Sequence, residues 1–316
     1  MFNYTSPSHM AMDRLLSVLD VGVVHFTICD IRDGWGARFD ACKTATLHYC
    51  VDGMGSLIVH NALPIPLDRN TFVLLPPDLP YRIESGAQKQ VRIEHRARIC
   101  GSATNESVPM LTVGDGQQGI ITSCGEIRVG LTGGPDLFTS LGEPFVVRFD
   151  TKNGLHDQFV MLMAESARPS MGSRVLTEAL LKQCLVLSLR RRMEDGASPL
   201  PWLTGVTDPR LSRALHAIIE QPAVEYTVDN LARIAGMSRS AFAAAFRRAF
   251  GQSPMNLVKL LRLRRASDLL VTTSLPVTEV AKRVGFSSRS NFSLSFSEVY
   301  GVDPSGFRRK HTVAPT

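Results

Sequence analysis

At 316 residues, with 44% hydrophobic and 20% charged side chains, the chain has an ordinary globular composition and the length for two cores. It contains no run of 18 apolar residues free of charge, so no membrane-spanning helix is expected. The net charge of +6 is unevenly shared: Asp208 to Thr316 hold 16 Lys+Arg against 8 Asp+Glu, while the preceding 207 residues hold 19 against 21. One end is basic and the other nearly neutral, as in a nucleic-acid module joined to a second part, although a helical domain can also be basic with no such partner.

The first residues, MFNYTSPSHMAMDRLL, lack a basic start followed by an apolar core, so no secretory signal is expected and a cytoplasmic location is. From Val21 to Arg98, short β-prone runs (VGVVHFTI, ATLHYCV, GSLIVH, TFVLLP, QVRIEHRARI) alternate with Gly, Pro, Asp and Asn. This predicts antiparallel strands in a small barrel or sandwich rather than a βαβ fold. From Leu137 to Glu194 the pattern is helical, and Val175 to Glu194 ends in three arginines that suit a helix C-terminus. Its apolar positions Leu176, Ala179, Leu180, Val186 and Leu187 form a stripe that packs either on its own domain or on a second subunit. Asp195 to Pro209, DGASPLPWLTGVTDP, reads as a linker, and the remainder is helical with short turns. The expected division is a sensor and dimerisation domain over 1–194, a linker over 195–207 and a helical domain over 208–312.

The helical part contains a repeat. Ala232-Arg233-Ile234-Ala235-Gly236-Met237-Ser238 aligns with Ala281-Lys282-Arg283-Val284-Gly285-Phe286-Ser287 at an offset of 49. Past the turn, Phe242, Phe246, Phe250, Gly251 and Pro254 match Phe292, Phe296, Tyr300, Gly301 and Pro304 at an offset of 50. Each copy predicts a short helix, a turn with Gly, and a longer helix whose aromatics lie four apart on a buried face, which is helix-turn-helix geometry. Gly236 and Gly285 suit a left-handed stop to the first helix, and Ser238 and either Ser287 or Ser288 suit a cap on the second. Met255 to Val271 predicts a long amphipathic connector, so that two reading helices could enter major grooves about 34 Å apart.

The stretches LARIAGMSRSAFAAAFRRAFG, LRLRRASDLL and VTEVAKRVGFSSRSNFSLSFSEVYGVDPSGFRR resemble the DNA-binding domain of the AraC/XylS family of bacterial transcription regulators, across residues 208 to 310. The resemblance implies seven helices with two helix-turn-helix units, double-stranded promoter DNA as partner, and usually activation, hence RNA polymerase as a protein partner. Arg239, Ser240, Arg289, Ser290, Asn291 and Ser293 sit near the starts of the two reading helices and are the candidates for base contacts. Arg can pair with guanine and Asn with adenine at major-groove edges, while Ser and Asn can also serve only as caps or solvated groups. In the first reading helix, Ala241, Ala243, Ala244 and Ala245 stand where family members often carry long polar side chains, and alanine can only touch a thymine methyl. Arg247, Arg248, Arg262 and Lys282, with Arg239, are candidates for phosphate contacts, which position without selecting sequence. Phe242, Phe246, Phe292 and Phe296 are expected in the core.

In the other half, LHYCVDGMGSLIV followed by PLDRNTFVLLPPDLPYRI is similar to the cupin-type sensor domain of one AraC subgroup. The fold expected for the whole is thus α+β in two domains: a cupin-like β-barrel with helices, then an all-α domain with two helix-turn-helix motifs. Enzymatic cupins hold a metal with His and Glu ligands from two motifs. Here His48 stands in the first and Tyr81 occupies the place of the second histidine, so neither a metal nor another cofactor is expected and a cupin metalloenzyme is only a remote alternative. Phe39, His48, Tyr49 and Tyr81 either line an effector pocket or belong to the core. The six cysteines, Cys29, Cys42, Cys50, Cys100, Cys124 and Cys184, include no C-x-x-C pair and are expected as thiols. Cys29 and Cys100 sit where chlorine-responsive members of the subgroup also carry cysteines, and each has arginine nearby in sequence, which makes them the redox candidates. The sequence therefore points to a DNA-binding regulator that is expected to pair with a second copy of itself and to have no enzymatic activity. Activator or repressor, and ligand or oxidant as signal, stay open.

Overall fold

The computed structural model describes residues 7–60, 62–86, 91–96, 110–149, 155–168, 170–195 and 200–311. The chain divides into two compact units. One contains Val21–Val129 and Phe138–Pro199, and the other contains Met1–Asp20, Gly130–Leu137 and Leu200–Thr316.

Among its described residues the first unit is built on ten strands: β1 (Asp20–Arg32), β2 (Trp35–Phe39), β3 (Ala45–Val59), β4 (Ile65–Asp68), β5 (Thr71–Leu75), β6 (Tyr81–Ser85), β7 (Arg92–Arg96), β8 (Met110–Val113), β9 (Gln118–Gly130) and β10 (Phe145–Arg148). They run in the order β7-β2-β6-β3-β9-β1-β8, with β5 and β4 also on β3 and β10 on β5, forming a cupin-like, nearly closed barrel. The 15-residue β3 is the shared element: Thr46–Tyr49 pairs with β5, Ala45–Gly53 with β9, and Gly55–Val59 with β6. A bulge between Cys50 and Asp52 shifts its register. Because strand side chains alternate, that extra residue moves the inward set from even to odd numbers, so Cys50 precedes it in the core while Leu57 and Val59 follow. On the opposite face of β3, Tyr49 stacks at 4.1 Å on Phe159 of α2 (Leu155–Ala167), which packs beside α3 (Ser173–Glu194).

Several expectations need correction here. Two strand pairs, β1–β8 and β2–β7, are parallel, so the barrel is mixed rather than antiparallel. The span from Leu137 to Glu194 is not wholly helical, because β10 crosses it after a short 3-10 turn at Leu137–Ser140. The linker expected over 195–207 contains α4 (Pro201–Thr207), whose Trp202, Leu203 and Val206 are buried. Pro201 suits a helix's first turn, and burial of Trp202 outweighs the weak helix signal of the Gly- and Pro-rich composition. The first helix, α1 (Pro7–Val18), also belongs to the helical unit, packed on α4 and α5 (Pro209–Glu220).

Among the described residues from Pro209 onward, the helical unit has seven helices: α5, α6 (Val228–Ala235), α7 (Arg239–Phe250), α8 (Pro254–Thr272), α9 (Val277–Arg283), α10 (Arg289–Tyr300) and α11 (Pro304–His311). Phe242, Phe246, Phe292 and Phe296 are all fully buried, as their four-residue spacing predicts. Among the described residues, no helix is long and apolar enough to cross a membrane.

Candidate nucleic-acid interface

The two helix-turn-helix units are α6–α7 and α9–α10, and the same turn chemistry joins each pair, although α9 starts after Pro276 without a side-chain cap. Thr227 and Asn230 form a capping box that starts α6. Gly236 ends it in the left-handed conformation at φ 68°, with Met237 N–H bonded back to Ala232 O at 3.0 Å. Ser238 then caps α7 through Ala241 N–H at 3.3 Å. In the second unit, Gly285 has φ 89° and Phe286 N–H returns to Ala281 O at 2.9 Å. Of the two serines offered by the sequence, Ser288 is the cap, accepting from Asn291 N–H at 3.4 Å. A Cβ at Gly285 would lie 2.5 Å from Ala223 O, so both conformation and space require glycine there.

With the phenylalanines facing inward, the outer faces of the reading helices follow. On α10, Arg289, Ser290 and Asn291 are exposed, whereas Ser293 is half-buried on the flank. The residue that shares the outer face with Ser290 and Asn291 is Leu294, which is 63% exposed. Sequence reasoning missed it because a leucine inside an amphipathic helix reads as core; its phase relative to Phe292 and Phe296 was the available signal. On α7, Ser240, Ala241, Ala244 and Arg248 are exposed, giving that helix a small, nearly featureless outer surface with a cation at its far end. Arg239 is also exposed and pairs with Asp229 at 3.2 Å.

The cations divide into two groups. Arg247, Arg248 and Lys282 are exposed, as a phosphate contact requires. Arg262 has a different role: its Nε donates to Pro222 O at 2.7 Å and its Nη2 to Val224 O at 3.0 Å, with its guanidinium over Phe286. Burial pulls its pKa below the ordinary arginine value. The expected phosphate contact is therefore corrected to a structural one, with carbonyls that lie about 40 residues away in sequence. Arg213 is likewise spent on Ile234 O and Ala235 O at the end of α6, and Arg308 on Leu270 O and Leu275 O. Arg262→Met is expected to lower the unfolding temperature while leaving the salt dependence of DNA binding unchanged. Lys282→Met should do the reverse, reducing the slope by about 0.9 if one phosphate contact is lost.

In the barrel, the sensor candidates are less open than a pocket requires. Phe39 and His48 are fully buried and Tyr81 is 3% exposed. Tyr81 packs on both, 5.1 Å from Phe39 and 4.8 Å from His48 between ring centroids. Tyr81 also borders a cavity of about 250 Å³ with Arg38, Ile58, His60, Pro80 and Arg82. Phe39 and His48 are thus core residues behind that cavity rather than its lining. Cys29 is fully buried, and Cys100 lies outside the described residues. Among the described residues no group of three His, Cys, Asp or Glu side chains is arranged to hold a metal ion.

Comparison with known proteins agrees with this architecture. A family model described as a helix-turn-helix domain matches residues 231–310, and one described as a cupin matches residues 11–194. The chain is 30% identical over 158 residues to the RCS-specific HTH-type transcriptional activator RclR of Escherichia coli, covering 50% of this chain and 56% of that protein. It is 35% identical over 152 residues to the HTH-type transcriptional regulator MtrA of Neisseria gonorrhoeae, covering 48% and 50%. A putative AraC-like transcription regulator of Streptomyces lividans is 34% identical over 146 residues, covering 46% and 48%. The chain spans about half the length of these curated relatives. Two capped helix-turn-helix units following a cupin barrel, with matches to both, mean that the chain belongs to the AraC/XylS family of transcription regulators.

Proposed function

We propose that this protein binds double-stranded promoter DNA sequence-specifically and regulates transcription, as an activator, in response to a signal received by its cupin domain. The observation that carries the reading is the exposed face of Arg289, Ser290, Asn291 and Leu294 at the N-terminal half of α10, a side-chain set suited to major-groove edges. Arg289 suits guanine, Asn291 adenine, and Leu294 a thymine methyl; Ser293 has a flanking role at most. On α7, Arg239 and Ser240 are the readers and the alanines pack against the groove, while Arg247, Arg248 and Lys282 hold phosphates.

Activation is supported by the Escherichia coli relative, a transcriptional activator, and it implies contact with RNA polymerase. A homodimer is supported by the apolar exposure of Val160 and Met161 on α2 and Val175, Leu176 and Ala179 on α3; Leu180 instead faces inward. Paired subunits raise affinity for repeated half-sites. We read the protein as cytoplasmic and without enzymatic activity. Its signal is either a small organic effector at the cavity beside Tyr81 or oxidation of a cysteine, with Cys29 and Cys100 as the residues suggested by sequence.

The test is binding of the purified protein to the DNA upstream of its own coding region and to a scrambled fragment of equal length, across a salt series. We expect affinity for the native fragment to exceed that for the scrambled one by about 10³-fold or more, and both to fall with salt. Equal affinity for the two, in reduced and oxidised protein alike, would overturn the reading.

A further inference from the structure

The most unusual chemistry in the barrel lies on three neighbouring strands, β3, β9 and β1. His48 of β3 and Cys124 of β9 are register partners, and both side chains are fully buried. His48 Nδ1 lies 3.2 Å from Cys124 Sγ, and its Nε2 lies 3.1 Å from Thr46 Oγ1, so the ring is held from both sides. Thr122 Oγ1 is 3.3 Å from the same sulfur. Cys29, buried on the neighbouring β1, shares a hydrogen bond and the same core cluster with Cys124. A buried polar cluster of this kind inside an apolar core is costly unless its members satisfy one another.

The surrounding thiols show what the arrangement does. Burial pushes the Cys50 thiol up to about 12, helped by the Asp68 and Asp52 carboxylates, and burial pushes Cys184 up to about 12 as well. Burial acts on Cys124 in the same direction, but the Cys29 hydrogen bond, the charge and hydrogen bond of His48, and the Thr122 hydroxyl together hold it well below the ordinary thiol range. Thiolate is the form that attacks electrophiles. The cavity bordered by Tyr81 stops at that ring, which packs on His48 with centroids 4.8 Å apart, so a small oxidant reaches the pair only when the Tyr81 ring moves aside.

We propose that Cys124 and Cys29 form a dithiol switch inside the barrel, with Cys124 attacking a small hydroperoxide, His48 as its proton partner and Cys29 as the resolving thiol. Cys124 passes its proton to His48, and its sulfur attacks one peroxide oxygen. The O–O bond breaks, and the leaving oxygen takes the proton from His48 to give an alcohol or water and a Cys124 sulfenic acid. Cys29 then loses its proton to His48 and attacks the Cys124 sulfur. The S–O bond breaks, and the departing hydroxide is protonated to water. Two thiols and one hydroperoxide thus give one disulfide, water and the reduced peroxide. The effect on promoter affinity rests on the regulatory reading above, whereas the thiol chemistry stands apart from it.

The test treats the full chain with hydrogen peroxide, blocks residual thiols with N-ethylmaleimide in denaturant, and maps linked peptides by mass spectrometry. The expected product is a Cys29–Cys124 linkage. In Cys29→Ser, Cys124 should instead proceed to sulfinic acid, and Cys124→Ser should leave Cys29 reduced. His48→Asn, checked for folding by circular dichroism, should slow oxidation at pH 7 by about tenfold or more. A Cys29–Cys100 linkage, or a Cys124 that stays reduced while other thiols oxidise, overturns the assignment, and neither result depends on the His48 variant folding. Oxidation should change promoter affinity by about fivefold or more in the wild-type chain and not in Cys124→Ser. A formed disulfide with unchanged promoter affinity overturns the switch. A protein that binds no promoter in either the reduced or the oxidised state overturns the regulatory reading, while the linkage map still decides the chemistry.

Discussion

Phe296→Ala is expected to destabilise the second helix-turn-helix unit by about 3–5 kcal/mol, the usual cost of deleting a fully buried phenylalanine. The ring is 0% exposed and sits at the centre of an aromatic group, 5.6 Å from Phe292, 4.4 Å from Tyr300 and 5.3 Å from Phe307 between centroids. Around it, Leu263, Leu270, Val280, Ala281 and Val284 join α8, α9 and α10 into one core. Because α10 carries its reading residues opposite this ring, the loss should appear first as local opening. Hydrogen exchange of peptides from α9 and α10 should accelerate by about 10²–10⁴-fold, with the barrel strands unaffected. Exchange unchanged in α10 would mean that the ring is not the keystone of that core.

Arg289→Ala and Asn291→Ala, each without effect on folding, are expected to lose about 1–3 kcal/mol of specific promoter affinity, or roughly 5- to 150-fold. Both residues are exposed, and apart from the Asn291 backbone N–H that Ser288 caps, neither side chain has a structural duty in the helix. The variants should therefore melt like wild type and bind scrambled DNA nearly as well. A uniform loss on native and scrambled DNA would instead assign them to phosphates. The contrast with Arg262, whose removal should act through stability, separates reading cations from structural ones.

The helix-turn-helix units could be read from sequence because their determinants are local. A glycine that ends one helix, a serine that caps the next and aromatics four residues apart all lie within about 20 residues. The barrel was readable as a class for the same reason, through alternating strands. What escaped depends on distant partners. β9 carries β-branched residues but lies beyond the Val21–Arg98 stretch whose alternation reads as strands, and only its pairing places it between β3 and β1. α4 becomes a helix because Trp202 is buried, not because Pro and Gly favour one. Arg262 finds its carbonyls 40 and 38 residues away, and His48 meets Cys124 across 76. Charge counting assigned such arginines to DNA because nothing in their neighbours marks them otherwise.

In the proposed complex, α7 and α10 enter successive major grooves of one promoter. Hydroxyl-radical footprinting of the wild-type chain on its own upstream DNA, beside Arg289→Ala, tests it most directly. The expected result is two protected patches about one helical turn apart, with the patch assigned to α10 lost or weakened in the variant. A single patch, or two that persist unchanged in Arg289→Ala, would contradict it.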